Sequence, residues 1–293
     1  MEKSNNVDVI YLDFAKAFEK VDHRILLNKL KKIGINGKIG VLIHNFLSNR
    51  QQCVAINRTT SSEAQVRSSG VPQGSVLGPL LFLIHISDIN YEMEDSTVSC
   101  FANDTQILLG IKDEEDTQML QNDSRKLYKW AETNNMKSNA NKFELLRYGK
   151  EQEIKSAKTY KSYDDSNIND KEQIRDLGIM KSNKATFTLH IRNIGKKARD
   201  KMGWVLRVFQ SWARSLMRIL LKSLVIPLLE YCCQLWNPWK EKDIQAIEAI
   251  QRTFAYKITE VQHLNNWERL HELKLYSLQR RRESYIIIYI FGR

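Results

Sequence analysis

Residues 96–110, STVSCFANDTQILLG, read as strand, two-residue turn and strand. Val98, Cys100 and Ala102 fall on alternate positions, and Ile107, Leu108 and Leu109 form an apolar run suited to a buried strand. Asn103 and Asp104 occupy the central pair of a tight hairpin, because Asn and Asp tolerate the positive φ angles such turns need. An acidic turn between two strands is by itself compatible with an ordinary surface hairpin. A second stretch changes that reading. Residues 7–14, VDVIYLDF, form another apolar strand that delivers Asp13 at its C-terminal end. Two buried strands that each end on a carboxylate are a means of presenting oxygen ligands to a hard divalent cation.

Three stretches then occur in order: YLDFAKAFEKVDH at 11–23, SSGVPQGSVLGPLLFLIHISDI at 68–89 and FANDTQILL at 101–109. Together they resemble palm motifs A, B and C of the reverse transcriptases of jockey-like non-LTR retrotransposons. The resemblance continues through MKSNANKFELL at 136–146 and IRDLGIMKSNKATFTLHI at 174–191 into the C-terminal region, so it spans nearly the whole chain. It implies an α+β polymerase palm over residues 1–185, an antiparallel sheet packed by helices. A basic, all-α, thumb-like region over 186–293 follows. The implied activity is RNA-directed DNA polymerisation, with an RNA template, a DNA primer and deoxynucleoside triphosphates as partners and Mg2+ or Mn2+ as cofactor.

The resemblance also assigns residues. Asp13 is the implied principal metal ligand, assisted by the carbonyl of Phe14. Asp104 is the peripheral carboxylate, and Asn103 stands where the family carries the first Asp of an Asp-Asp pair. Asn keeps a carbonyl oxygen but no charge, so the ligand charge falls and cation binding is expected to be weakened. Phe18 matches the bulky residue that screens the sugar 2′ position, and Gln73 and Gly74 match the nucleotide and template side of the site. Lys142 matches the lysine that protonates departing pyrophosphate, and reads equally as a strand-edge lysine. Only twelve residues precede Asp13, where the family places its fingers, so the resemblance implies a truncated copy. The alternative function is a non-catalytic nucleic-acid-binding remnant.

Composition sets the outer bounds. The 293 residues are 42% hydrophobic and 27% charged, ordinary for a globular protein with room for two domains. The formal charge of +11 is unevenly placed, with 27 Lys and Arg against 25 Asp and Glu in residues 1–195 but 18 against 9 in 196–293. A basic C-terminal third suits a polyanion, with Arg280, Arg281 and Arg282 as candidate nucleic-acid contacts; a solvated helical face is the plainer reading. Cys53, Cys100, Cys232 and Cys233 lack metal-ligand spacing and read as reduced, mostly buried thiols. The charged N-terminus has no signal-peptide pattern, and the longest apolar stretch, 219–236, carries Lys222, Pro227 and Glu230, which disfavours a membrane span. The expected location is intracellular, in cytoplasm or nucleus; the oligomeric state is not fixed by the sequence.

Local patterns fill in the rest. Asp22 reads as the N-cap of a helix carrying Leu26, Leu27, Leu30 and Ile33. Gly70 and Gly74 flank a loop that enters a second helix, and residues 114–134 form a long amphipathic helix whose acidic start suits the helix dipole. Residues 143–148 read as a strand, 149–171 as an exposed mobile loop, and 174–180 as a further strand. From Thr188 onward the pattern is helical. The tryptophans at 204, 212, 236, 239 and 267 read as core packing rather than base stacking. Asp88 and Asp95 read as surface residues without an assigned role.

Overall fold

The computed structural model describes residues 6–48, 50–57, 59–61, 64–65, 69–136, 143–149, 159–209 and 213–291. They fall into two compact units, Met1–Ile174 and Arg175–Arg293. The division precedes the expected boundary at residue 185. Its physical reason is the hairpin of Gln173–Asp176 and Ile179–Ser182, whose Ile179 is buried with residues of the helices that follow.

In the first unit the strand Asn6–Asp13 (β1) lies at the centre of a five-stranded sheet. The others are Thr97–Phe101 (β2), Asp104–Ile111 (β3), Glu144–Tyr148 (β4) and Asn169–Lys171 (β5), in the order β2-β3-β1-β4-β5. β1 is antiparallel to β3 and to β4, β2 is antiparallel to β3, and β4 pairs in parallel with β5. Alternation along β1 sends Ile10 and Leu12, continued by Phe14, into a core shared with Ile107 and Leu145. Helices that contribute to that core include His23–Lys32 (α1), Gly37–Leu47 (α2), Leu77–Ile86 (α3) and Glu114–Thr133 (α4). They supply Leu26, Leu30, Ile43, Leu81, Phe82, Leu120, Leu127 and Trp130. Each such buried side chain contributes about 1.5–3 kcal/mol relative to exposure. Asp22 caps α1 as expected, accepting the N–H of Arg24 at 2.8 Å and of Ile25 at 3.2 Å. Asp113 likewise caps α4, accepting from Asp116 N–H at 3.1 Å.

Several expectations are corrected here. The turn of the 96–110 hairpin is Ala102-Asn103, not Asn103-Asp104, because Phe101 and Asp104 are already paired across the ladder. Ala102 carries the positive φ of 54° that the turn demands. Of the expected loop 149–171, residues 150–158 lie outside the described residues and 159–171 are not loose: Tyr160, Ser162 and Ile168 are buried, and 169–171 form the parallel edge strand β5. Asp88 is no idle surface residue, since its carboxylate accepts from Lys29 Nζ at 2.7 Å and from Trp130 Nε1 at 3.0 Å. Of the four cysteines only Cys233 is buried, while Cys53 and Cys232 are exposed.

The second unit is helical: Thr188–Val208 (α5), Arg214–Leu220 (α6), Ile226–Glu230 (α7), Glu241–Tyr256 (α8), Asn266–Glu272 (α9) and Leu278–Phe291 (α10). Its core joins Ile191, Ala198, Leu221, Trp236, Ile250 and Phe254. Between α6 and α7 a π-helical turn spans Leu221–Val225. Pro227, at the start of α7, cannot donate to residue 223 and crowds its carbonyl, so the widened turn absorbs the mismatch. Among the tryptophans, only the burial of Trp236 matches the core reading; Trp239 is 83% exposed and Trp267 78% exposed, Trp204 is exposed too, and Trp212 lies outside the described residues. Among the described residues no helix is long and apolar enough to cross a membrane.

Candidate active site

β1 and β3 end side by side. Their antiparallel register places Asp13 directly opposite Asp104, so pairing of two apolar strands alone brings two carboxylates from distant sequence to one spot. Residues directly opposite share a face, with Cβ atoms about 4.5–5.5 Å apart. The turn residue between β2 and β3 lies over the same spot. Asn103 donates from Nδ2 to Asp13 Oδ1 at 2.8 Å and to Asp104 Oδ1 at 3.4 Å. Its backbone carbonyl accepts the N–H of Phe14 at 3.3 Å, which ties the turn to the end of β1. Asp104 is exposed, while Asp13 and Asn103 are half-buried.

The remaining expected residues are placed as follows. Phe14 has its ring in the core, tilted against Trp130 at 6.2 Å, so only its backbone can face the carboxylates. Phe18 is half-buried and stacks on Phe82 with centroids 4.5 Å apart. The loop that carries Gln73 and Gly74 is pinned beside it: Val71 N–H donates to Phe18 O at 2.9 Å and Gly70 N–H to Val21 O at 2.8 Å. The close backbone approach at Gly70 is made by Glu19 of the chain itself, whose Cα and O would lie 3.0 Å from a Cβ at φ +92°. Gln73 and Gly74 are exposed at the tip of that loop. Lys142 lies outside the described residues.

The three arginines of the basic run at 280–282 are placed differently from one another. Arg282 is fully buried, its Nε donating to Asn237 Oδ1 at 3.2 Å, and burial lowers its pKa. Arg281 is bound to Glu230, with Nη2 2.9 Å from Oε2. Arg280 is exposed, its guanidinium 4.8 Å from the Tyr276 ring centre. Helical spacing explains this, since three consecutive residues are turned about 100° apart and cannot share one face.

Two supports of the site escaped the sequence reading. Asp123 of α4 is fully buried and holds the approach to β2, accepting Ser96 N–H and Ser96 Oγ–H at 2.8 Å each and Asp95 N–H at 3.1 Å. Burial alone would raise its pKa, but these donors and Lys126 together hold it below the usual value. Asp8, on the inward face of β1, accepts from Tyr160 Oη at 2.8 Å and lies 3.7 Å from Arg147 Nη1, which belongs to β4. Burial nevertheless keeps the Asp8 pKa raised. The available signals were a carboxylate in phase with Ile10 and Leu12, and another between Leu120 and Leu127.

As arranged, the residues do not fit a pair of hard divalent cations. Two carboxylates meet at the site, and the N–H donors of Asn103 point at both of them. Among the described residues no group of three His, Cys, Asp or Glu side chains is placed to hold a metal ion.

Comparison with known proteins identifies the family. The chain is 28% identical over 270 residues to the RNA-directed DNA polymerase from mobile element jockey of Drosophila melanogaster, covering 88% of this chain and 29% of that protein. The corresponding Drosophila funebris polymerase is 25% identical over 270 residues, with the same coverage of 88% and 29%. The chain thus spans under a third of the length of these relatives. Among solved structures, apo telomerase from Candida tropicalis aligns at 11% identity with a TM-score of 0.45, covering 93% of this chain and 46% of that one. The family model for reverse transcriptase (RNA-dependent DNA polymerase) matches residues 2–180, which include every strand of the Asp13–Asp104 sheet. With that match over more than half its length, the chain belongs to the reverse transcriptase (RNA-dependent DNA polymerase) family.

Proposed function

We propose that this chain is the polymerase domain of a jockey-like non-LTR element, acting on an RNA template and DNA primer with deoxynucleoside triphosphates, and impaired in nucleotidyl transfer at Asn103. The observation that carries the reading is the register that sets Asp13 opposite Asp104 beside the Asn103 turn. In this reading Mg2+ or Mn2+ is the expected cation, Asp13 and Asp104 supply its charged oxygens, and the missing third charge lowers affinity. Phe18, held by its stack on Phe82, is the residue assigned to the sugar edge of the incoming nucleotide. Gln73 and Gly74 present an exposed loop tip on the nucleotide and template side. Lys142 is retained as the candidate acid, and the helical second unit as the thumb. The test is primer extension on an RNA template with Mg2+ or Mn2+. Negligible extension by the unmodified chain is expected; robust extension would falsify the impairment assigned to Asn103.

A second reading, nucleic-acid binding without catalysis, is favoured by one feature of the second unit. Arg192 and Arg199 of α5, with Lys240 and Lys242 at the start of α8, line a groove of about 340 Å³. Beside it an adjoining cleft shares Thr188, Ile191, Lys240 and Asp243 and adds the exposed Trp239. Cations along a groove next to an aromatic platform are the requirements for holding a single strand. Retention of RNA by the chain in the absence of extension, abolished when these cations are replaced, distinguishes this reading.

A further inference from the structure

We propose that the Asn103 side chain does more than lack a charge: its amide stands in for a cation and locks the Asp13–Asp104 pair shut. The inference rests on the assignment of these residues as the polymerase carboxylates. Asn103 Nδ2 lies 2.8 Å from Asp13 Oδ1 and 3.4 Å from Asp104 Oδ1, so one donor group spans the two carboxylates. The orientation is chemically determined. A flipped amide would set its carbonyl oxygen against the Asp13 carboxylate, two acceptors in repulsion. A hydrogen bond to a charged acceptor is among the stronger ones a protein forms. The turn is also held in place from below, because the Asn103 carbonyl accepts the Phe14 N–H at 3.3 Å. The side chain therefore has a fixed base from which to reach both acids.

The lock has a consequence that charge loss alone does not. A cation entering between Asp13 and Asp104 must first displace the Asn103 N–H, and the amide must turn over to offer its oxygen. Asn103 is thus a competitor for the site as well as a poor ligand. Removing the side chain should improve cation binding even though it also removes a ligand oxygen. If Asn103 acted only as a weak ligand, removing it would leave affinity unchanged or lower it.

Mn2+ binding to the full chain, read from the electron paramagnetic resonance signal of the free ion, separates these cases. The lock gives the order N103D tightest, then N103A, then the unmodified chain. N103A is expected to bind roughly tenfold or more tighter than the unmodified chain, the equivalent of one charge-assisted hydrogen bond no longer to be broken. Thermal melts of N103D should rise by about 3–6 °C at a tenfold excess of cation over its Kd, while the unmodified chain stays flat at that concentration. N103A binding no tighter than the unmodified chain overturns the lock and leaves the charge-loss account standing. N103D binding no tighter than the unmodified chain overturns the assignment of the site itself. Circular dichroism of each variant at the titration temperature establishes that it is folded.

Discussion

At the scale of single residues, the side chains that position the site are as informative as those in it. Strand register sets Asp104 opposite Asp13, and Asp123 anchors the start of the hairpin that carries Asp104 by accepting from Ser96. Its carboxylate is held below its usual pKa by donors that serve the ionised form, although burial pulls the other way. The contribution to stability is therefore present above the unfolded-state value near 4 and is lost as pH falls through the lower folded value. Asp123→Asn should cost about 1.5–3 kcal/mol at pH 7, the worth of hydrogen bonds to a charged group. The difference from the unmodified chain should be smaller at pH 3, below the unfolded-state value, than at pH 7. Urea unfolding at both pH values measures it, and an equal loss at both would show that the charge is not what matters.

At the scale of elements, charge is sorted by helical geometry rather than by sequence order. Arg280, Arg281 and Arg282 are adjacent in the chain, yet one is exposed, one is paired with Glu230 and one is buried. On α5, by contrast, Arg192, Lys196 and Arg199 are spaced by three or four residues and all are exposed. Salt dependence of single-stranded RNA binding tests the difference. Replacing Arg192 and Arg199 by Ala should flatten the slope of log K against log salt by about 1.4, near 0.7 for each phosphate that is no longer neutralised. Replacing Arg281 and Arg282 should leave that slope unchanged and lower stability instead, since both are engaged inside the fold. The reverse outcome would return nucleic-acid binding to the 280–282 run.

At the scale of the whole molecule, each unit buries its own cluster of side chains, so a global property can be traced to one unit. His85 of α3 is fully buried in the first. Burial, with the nearby Lys29 ammonium, pushes its pKa down to about 4. The unfolded chain protonates near 6.5, so below that value the unfolded state binds the extra proton and stability falls until pH reaches about 4. The full loss is about 3 kcal/mol. His85→Leu should abolish this acid limb, which urea midpoints at pH 7.5 and 5 would register. A limb of unchanged depth in the variant would assign it to other groups.

The sequence by itself determined the elements and the family. The apolar run of residues 7–14 and the alternation and apolar run of 96–110 mark strands, Asp22 announces the start of α1 by its capping chemistry, and the acidic start of 114–134 suits the helix dipole at the start of α4. Motif order then implied that Asp13, Asn103 and Asp104 belong together. What tertiary structure alone decided was everything set by which face meets which neighbour. Strand register put Asp13 opposite Asp104 and moved the turn one residue back to Ala102. Parallel pairing of β5 to β4 drew residues 159–171, polar in composition, onto the sheet and buried Tyr160 against Asp8. Helix phase hid Arg282, and Trp239, in the connection that precedes α8, is left bare. Local propensity and side-chain chemistry act between near neighbours and are written in order along the chain. Burial and pairing depend on contacts between residues far apart in sequence, and those exist only once the chain has folded.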